Sequence, residues 1–600
     1  MAERVRVREI DDDEGRRLLR IIRRGTGSVV TWRRAQARDR FIHPKCRPRP
    51  HRAPSLALDG EAGGTVTEFG EDSRVPYQKL RVLADTAPSK LAIWKSGTVS
   101  LHALLLSVAV RYVKEVRRNP GDEEVNPADD PRSWANVTAR LIEWCYLYSD
   151  QSVAATPSMQ DVEDAVTTAQ DWEVIEIGLQ GGRAGRVRVF EDKQGLAIDP
   201  LLDPGVELID IMLEKIDTEN LEEGGRGPSL EPAFAFFRSM QGRHDVHRHV
   251  PHWVAGLYVQ HMKNYVAGRH WEMPLDTELG GITVGEAIPL IGTLKGLSFL
   301  QLNLFRCEPN PNTAYLGMTS SVLKKTLSRY NPKSSAIDKF VEMLTYGGPG
   351  GKTPFAAPII PWDGKLLMPF PLLSEGLVER MILRAAASNP ASSGKLGESL
   401  GGLCAKWSTR LGSISGVRTL TEVKVLAHNR RKIGDLDIVA LDADGKTGLI
   451  VEAKWPIDVR VLSEAWKQED AIDKGKGQIG RLKREISNGA IVKLPPGWPP
   501  FSDVKWEWMV GTPRFLDSRK SGGGIRATSL RLVEQLLPVR STGELIEKLD
   551  TFPYPLHGRD FELKWKRIKV DGTVVRCRVI ETRHPVPSPP ANRMRSKGWT

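Results

Sequence analysis

Between about residues 77 and 390, apolar positions recur every three to four residues, the spacing that lines one face of a helix. It predicts helices over 101–117, 133–148, 160–170, 206–217, 231–240, 249–265, 284–304 and 374–387. The first ends in basic residues, which suits the negative pole of a helix dipole. Two stretches interrupt the pattern and read as hairpins: 173–190, around Gly181-Gly182, and 357–373, turning at Asp363-Gly364.

After residue 394 the pattern changes. A helix over 394–411 leads to a strand at 420–426 and then to GDLDIVALDADGKTGLIVEAKW, residues 434–455, where two apolar runs flank the turn-forming Asp442-Ala443-Asp444-Gly445. A long polar helix over 462–486 follows, then strands at 490–493 and 505–510 and a strand and helix over 526–537. A Ser-Thr-capped helix at 541–549 and a hairpin at 561–582, turning at Asp571-Gly572, come last.

Side chains alternate across a strand, so Leu449, Val451, Ala453 and Trp455 share one face and Ile450, Glu452 and Lys454 the other. If the hairpin pairs as the turn suggests, Asp437 lies next to that second face. Two carboxylates and a lysine then converge on an otherwise apolar sheet, where buried charge is costly unless paired or metal-bound. Carboxylate oxygens are hard ligands that suit Mg²⁺ or Mn²⁺, with water and phosphate completing the shell. A solvated hairpin with charges on its wet face is the bland alternative.

This Asp437…Glu452-Ala453-Lys454 pattern, on two strands preceded by a helix and a strand and followed by a helix, resembles the PD-(D/E)XK nuclease superfamily over about residues 390–535. The resemblance implies a restriction-endonuclease-like α/β fold with a mixed central sheet. It implies Asp437 and Glu452 as metal ligands, the Ala453 carbonyl as a backbone ligand, and Lys454 as the catalytic lysine. Glu398 is similar to the acid some subgroups carry on the first helix, and Gln478 to the glutamine others carry on the later one. Leu436 stands where the family often has proline, and Leu482 where some subgroups have tyrosine. The activity implied is Mg²⁺- or Mn²⁺-dependent hydrolysis of nucleic acid, DNA first, in restriction or anti-phage defence. Arg430, Arg431 and Lys432 before the Asp437 strand, and Lys476, Arg481, Lys483 and Arg484 on the later helix, are candidates to neutralise phosphates. The partners this admits are nucleic acid, a second copy of the chain or a defence-system protein. The other class of reading is a non-cleaving nucleic-acid-binding protein with the same fold.

At 600 residues the chain is too long for one core. The expected parts are 1–76, a transposase-like remnant and basic linker; 77–387, mainly helical; 388–540, nuclease-like, entered through SNPASSGK; and 541–600, a helix, a basic hairpin and a loose tail. Residues 1–36 resemble the start of a bacterial insertion-sequence transposase, and the likeness stops after Gln36; a genuine basic arm is the alternative. Residues 48–71 are expected to be disordered. A net charge of +12 agrees with a polyanionic partner. Scattered cysteines without a CxxC pair suit a reducing cytoplasm and argue against a disulfide framework. The most apolar short run, 103–110, falls short of the ~18 residues a membrane span needs. The histidines of HDVHRHVPHW, 244–253, read as a polar loop rather than a zinc site. GGPGGKT, 347–353, lacks the first glycine of a phosphate loop and reads as a turn. In the hairpin at 561–582, Lys564, Lys566, Arg567 and Lys569 suit either a phosphate contact or a charged, aggregation-resistant edge.

Overall fold

The computed structural model describes residues 71–117, 131–183, 187–200, 275–329, 333–375, 402–454, 465–512, 524–552 and 556–582, with a few positions between 235 and 256. The transposase-like start, the linker at 388–395, Glu398, Trp455 and the histidine cluster lie outside the described residues, as do most of the helices expected at 206–217, 231–240, 249–265 and 374–387. The chain divides into two compact units, Met1–Glu71 and Asp72–Thr600, and the elements below belong to the second save for the first residue of α1. The layout is general α/β, with helices leading and sheets later.

Four helices open it: α1 (Glu71–Thr86), α2 (Thr98–Arg117), α3 (Pro131–Tyr148) and α4 (Met159–Arg183). On α2, Leu101, Leu104, Leu105, Val108 and Tyr112 fall on one face and are buried against the neighbouring helices. The hairpin expected at 173–190 is instead helix as far as Arg183. Trp172, Ile175 and Leu179 repeat at helical spacing and all enter the core, and this burial outweighs the strand-like look of WEVIEI. The hairpin comes later, as β1 (Val187–Asp192) and β2 (Gly195–Pro200), paired antiparallel.

A second core surrounds α5 (Val284–Cys307), whose start carries a full capping box between Thr283 and Glu286. Among the described residues α5, rather than the run at 103–110, is long and apolar enough to cross a membrane; 83% of its most apolar window is buried in the fold, as befits a core helix. Strand β3 (Tyr315–Met318) and helices α6 (Ser320–Leu327) and α7 (Ser334–Leu344) add to this core, and the hairpin β4 (Ile360–Trp362) and β5 (Lys365–Pro369) joins the two cores, with Ile360 and Trp362 in the first and Met368 in the second. The hairpin turns at Asp363 and Gly364, both with positive φ, and helix α8 (Phe370–Glu375) follows. GGPGGKT is a loop here, with the Lys352 ammonium donating to the Met343 carbonyl rather than opening onto a helix start.

The third region is a mixed six-stranded sheet sandwiched by helices. Helix α9 (Gly402–Gly412) precedes β6 (Arg418–Leu426), β7 (Lys432–Leu441) and β8 (Thr447–Ala453). Then come α10 (Ala465–Ser487), β9 (Ile491–Val492), β10 (Lys505–Thr512), β11 (Arg526–Ser529), α11 (Leu530–Leu536) and α12 (Thr542–Asp550). The strand order is β11-β10-β8-β7-β6-β9; β8, β10 and β11 run parallel and the other pairs antiparallel. On one face Ile438, Leu449 and Val451 pack against Trp407 of α9 and Leu532 and Leu545 of α11 and α12. On the other, Val439, Ile450 and Val510 pack against Ile472, Ile479 and Leu482 of α10.

Residues 541–600, grouped as one part by sequence, serve two regions. Helix α12 closes the six-stranded sheet; its Thr542 donates through N–H and hydroxyl to the buried Asp442 carboxylate in the β7–β8 turn, at 2.8 and 2.9 Å. The hairpin β12 (Phe561–Val570) and β13 (Thr573–Thr582) returns to the helical half, where β13 pairs with β2 to make a four-stranded sheet ordered β1-β2-β13-β12.

Candidate active site

The site forms where β6, β7 and β8 lie side by side. The register pairs Thr421 with Ile438 and Val423 with Leu436, which sets Glu422 opposite Asp437. It pairs Ile438 with Val451, which sets Glu452 on the other side of Asp437. Three carboxylates thus stand in one row across three strands. Both β6 and β7 bend at this row. Leu420, Val423 and Val425 all pack toward α10, as do Leu436 and Val439, so strict alternation fails at Glu422 and Asp437. Glu422 sits at φ +54°, a left-handed conformation that a glutamate adopts only under constraint from its surroundings.

Glu452 and Lys454 follow Ile450 on the α10 face, as alternation predicts. The Lys454 ammonium donates to Glu452 Oε1 at 2.5 Å and to Gln478 Oε1 of α10 at 3.2 Å. The Ala453 N–H donates to Asp437 Oδ2 at 2.8 Å. Helix α10 lies this close because of Gly475: a β-carbon there would meet both γ-carbons of Val510 at 3.0 Å and Lys454 Cγ at 3.2 Å.

Glu452 is only 2% exposed. Burial pushes its carboxyl up to about 7; the Asp437 charge adds to the rise and the Lys454 ammonium opposes it. Burial also raises Asp437, against the Ala453 N–H and the Lys454 charge. The Asp437 charge opposes ionisation of Glu452, so Glu452 is held the more strongly toward its protonated form. Burial pushes the thiol of Cys404, on α9, up to about 12, and the carboxylates of Asp437, Glu422 and Glu452 add to that rise.

Of the residues singled out from sequence, Asp437, Glu452, Lys454 and Gln478 come together. Ala453 enters through its N–H. Arg430, Arg431 and Lys432 sit at the far end of the β6–β7 hairpin, with Lys432 and Asp437 roughly 17 Å apart along the strand at about 3.4 Å per residue; Lys432 pairs with Asp435 at 2.6 Å. Arg481 lies over Gly434 of β7, and the Lys483 ammonium sits 5.3 Å from the centre of the Trp508 ring. Lys476 is half-buried on α10. Sequence reasoning missed Glu422 and Cys404. The charged TEVK inside a strand was the available signal for Glu422; nothing local marks Cys404, which reaches the row only because α9 packs on β6 and β7. Among the described residues no group of three or more His, Cys, Asp or Glu side chains is disposed to hold a metal ion.

Compared with known protein families, characterised proteins and solved structures, the chain matches none of them.

Proposed function

We propose that this chain is a Mg²⁺- or Mn²⁺-dependent nuclease of the restriction-endonuclease-like class, hydrolysing phosphodiester bonds of DNA in the cytoplasm, in restriction or anti-phage defence. The observation that carries the reading is the pairing of Asp437 with Glu452 on adjacent strands, with Lys454 on Glu452. Two desolvated carboxylates and one ammonium leave an excess of negative charge that a divalent cation offsets better than a proton does. The donor set suits such an ion: Mg²⁺ asks a protein for one or two carboxylates and takes the rest from water and phosphate. Asp437 and Glu452 would hold it, with the Ala453 carbonyl beside them. When bound, the ion supplies an acidified water and stabilises charge on the phosphoryl oxygens.

The chain's own groups do the rest. Glu452 gives up its proton before it can ligate. Lys454, positioned by Gln478, places a positive charge beside the attacked phosphate. Arg481, on the same helix over Gly434, would meet a neighbouring phosphate. The test is incubation with Mg²⁺ or Mn²⁺ and linear, circular and branched DNA and RNA. Cleavage is expected only with the divalent ion, and is expected to vanish in Lys454→Ala and Asp437→Ala while the fold survives. Undiminished cleavage by either variant removes the assignment.

A second reading is a non-cleaving nucleic-acid-binding protein of the same fold. What favours it is the direct Lys454–Glu452 ion pair, which neutralises Glu452 without a metal. Calorimetric titration with Mg²⁺ separates the two, because binding alone needs no uptake of metal.

A further inference from the structure

The four-stranded sheet β1-β2-β13-β12 has one face against the helices and one facing out. Val189, Ile198, Cys577 and Ile568 share the inner face and are buried in the helical core. The register then fixes the outer face rank by rank. One rank across the strands carries Arg188, Asp199, Arg578 and Trp565; the next carries Phe190, Ala197, Arg576 and Arg567. Lys569 and Asp192 lie in the rank beyond, with Gly195 and Val574 between them.

Trp565 is 40% exposed, unusual for so large a ring. The guanidinium carbons of Arg576 and Arg578 stand 5.0 and 5.3 Å from its ring centre. Arg188 holds the same relation to Phe190, at 4.8 Å. Two aromatic rings therefore sit on the open face near its two edges, each beside arginine. Between them Ala197 is fully covered by its neighbours' side chains. Four exposed cations, Arg188, Arg567, Lys569 and Arg578, ring the face, while Arg576 is buried and engaged by Asp192 and Gln194. Asp192 pairs with Arg576, and Asp199 is shared by Arg188 and Arg578 at 3.8 and 3.3 Å, which leaves cationic donors in excess.

We propose that this outer sheet face binds single-stranded nucleic acid, with unpaired bases on Trp565 and Phe190 and the phosphates among the surrounding arginines and Lys569. A flat face with isolated rings offers stacking to any unpaired base, whereas a duplex keeps its base faces to itself. The excess of positive charge suits a polyanion and gives the binding its salt dependence. The proposal does not rest on cleavage: it concerns a surface in the helical half of the molecule.

The test uses the full chain in EDTA, where no hydrolysis is read, with fluorescently labelled oligo-dT, oligo-U and a blunt duplex of equal length, followed by anisotropy. Oligo-dT or oligo-U is expected to bind more tightly than duplex. Trp565→Ala is expected to weaken single-strand binding at least about fivefold and leave duplex binding unchanged. Trp565→Phe, which keeps a stacking ring, is expected to retain most of the affinity, so a defect caused by misfolding is told apart. Equal binding of single strand by Trp565→Ala and parent, equal weakening in Trp565→Ala and Trp565→Phe, or displacement of oligo-dT by poly-glutamate as readily as by unlabelled oligo-dT would each overturn the proposal.

Discussion

Replacing Glu452 with glutamine removes a charge from a place where charge is costly. Its carboxyl stands at about 7 against an ordinary 4.5. Between those values the folded protein keeps a proton that the unfolded chain has lost, so stability falls as pH rises through the window. Above it, the ionised group costs about 3 kcal/mol, taking 1.36 kcal/mol per pH unit. Glutamine keeps an oxygen for Lys454 and offers an N–H to Asp437, at the expense of the charge in the ion pair. The variant is therefore expected to be more stable than the parent by about 1–3 kcal/mol at pH 8 without divalent ions, and to lack most of the decline between pH 5 and pH 7. Hydrogen exchange of peptides covering 438–451, corrected for intrinsic rates, reads this locally. Millimolar Mg²⁺ is expected to protect those amides in the parent and not in the variant, and cleavage is expected to be lost. A variant less stable than the parent at pH 8, or one with the same pH slope, would refute the claim that the site stores electrostatic strain.

Four other outcomes follow from the same structure. Gly475→Ala drives a methyl into Val510 and Lys454; it is expected to cost about 1–3 kcal/mol and to break the hydrogen bond from Lys454 to Gln478. Gly477→Ala on the same helix meets nothing within 4 Å and is expected to stabilise by about 0.4–1 kcal/mol; urea unfolding of the pair gives opposite signs if the packing is as described. Asp442→Ala leaves the Thr542 N–H and hydroxyl without their acceptor and is expected to cost about 1–3 kcal/mol, read as early exchange of α12 amides. Gln478→Ala frees the Lys454 ammonium on one side and is expected to lower the cleavage rate about tenfold or more with little change in melting temperature, as expected for a positioning residue that fixes geometry to within an ångström.

Short-range chemistry was legible in the chain. Asp363-Gly364, Asp442 to Gly445 and Asp571-Gly572 announce tight turns because their backbones demand positive φ or side-chain capping, and all three turns form. Alternation along β8 correctly put Leu449 and Val451 on one face and Glu452 and Lys454 with Ile450 on the other. The hairpin expected at 173–190 failed because WEVIEI suits both periods, and only burial against α1 to α3 chose the helix. Glu422 escaped notice because the charged TEVK marks an unusual strand but names no partner until register sets Glu422 beside Asp437.

By itself, then, the sequence determined the turns, the period of most described elements and the convergence of Asp437, Glu452 and Lys454 on one hairpin, since these depend on neighbours a few residues away. Only the tertiary structure decided that Gln478 meets Lys454, that Glu452 is desolvated enough to hold its proton to about 7, and that β13 leaves the second half of the chain to pair with β2. Each of those depends on residues distant in sequence, brought together by which apolar faces bury one another, and no local pattern encodes the partner.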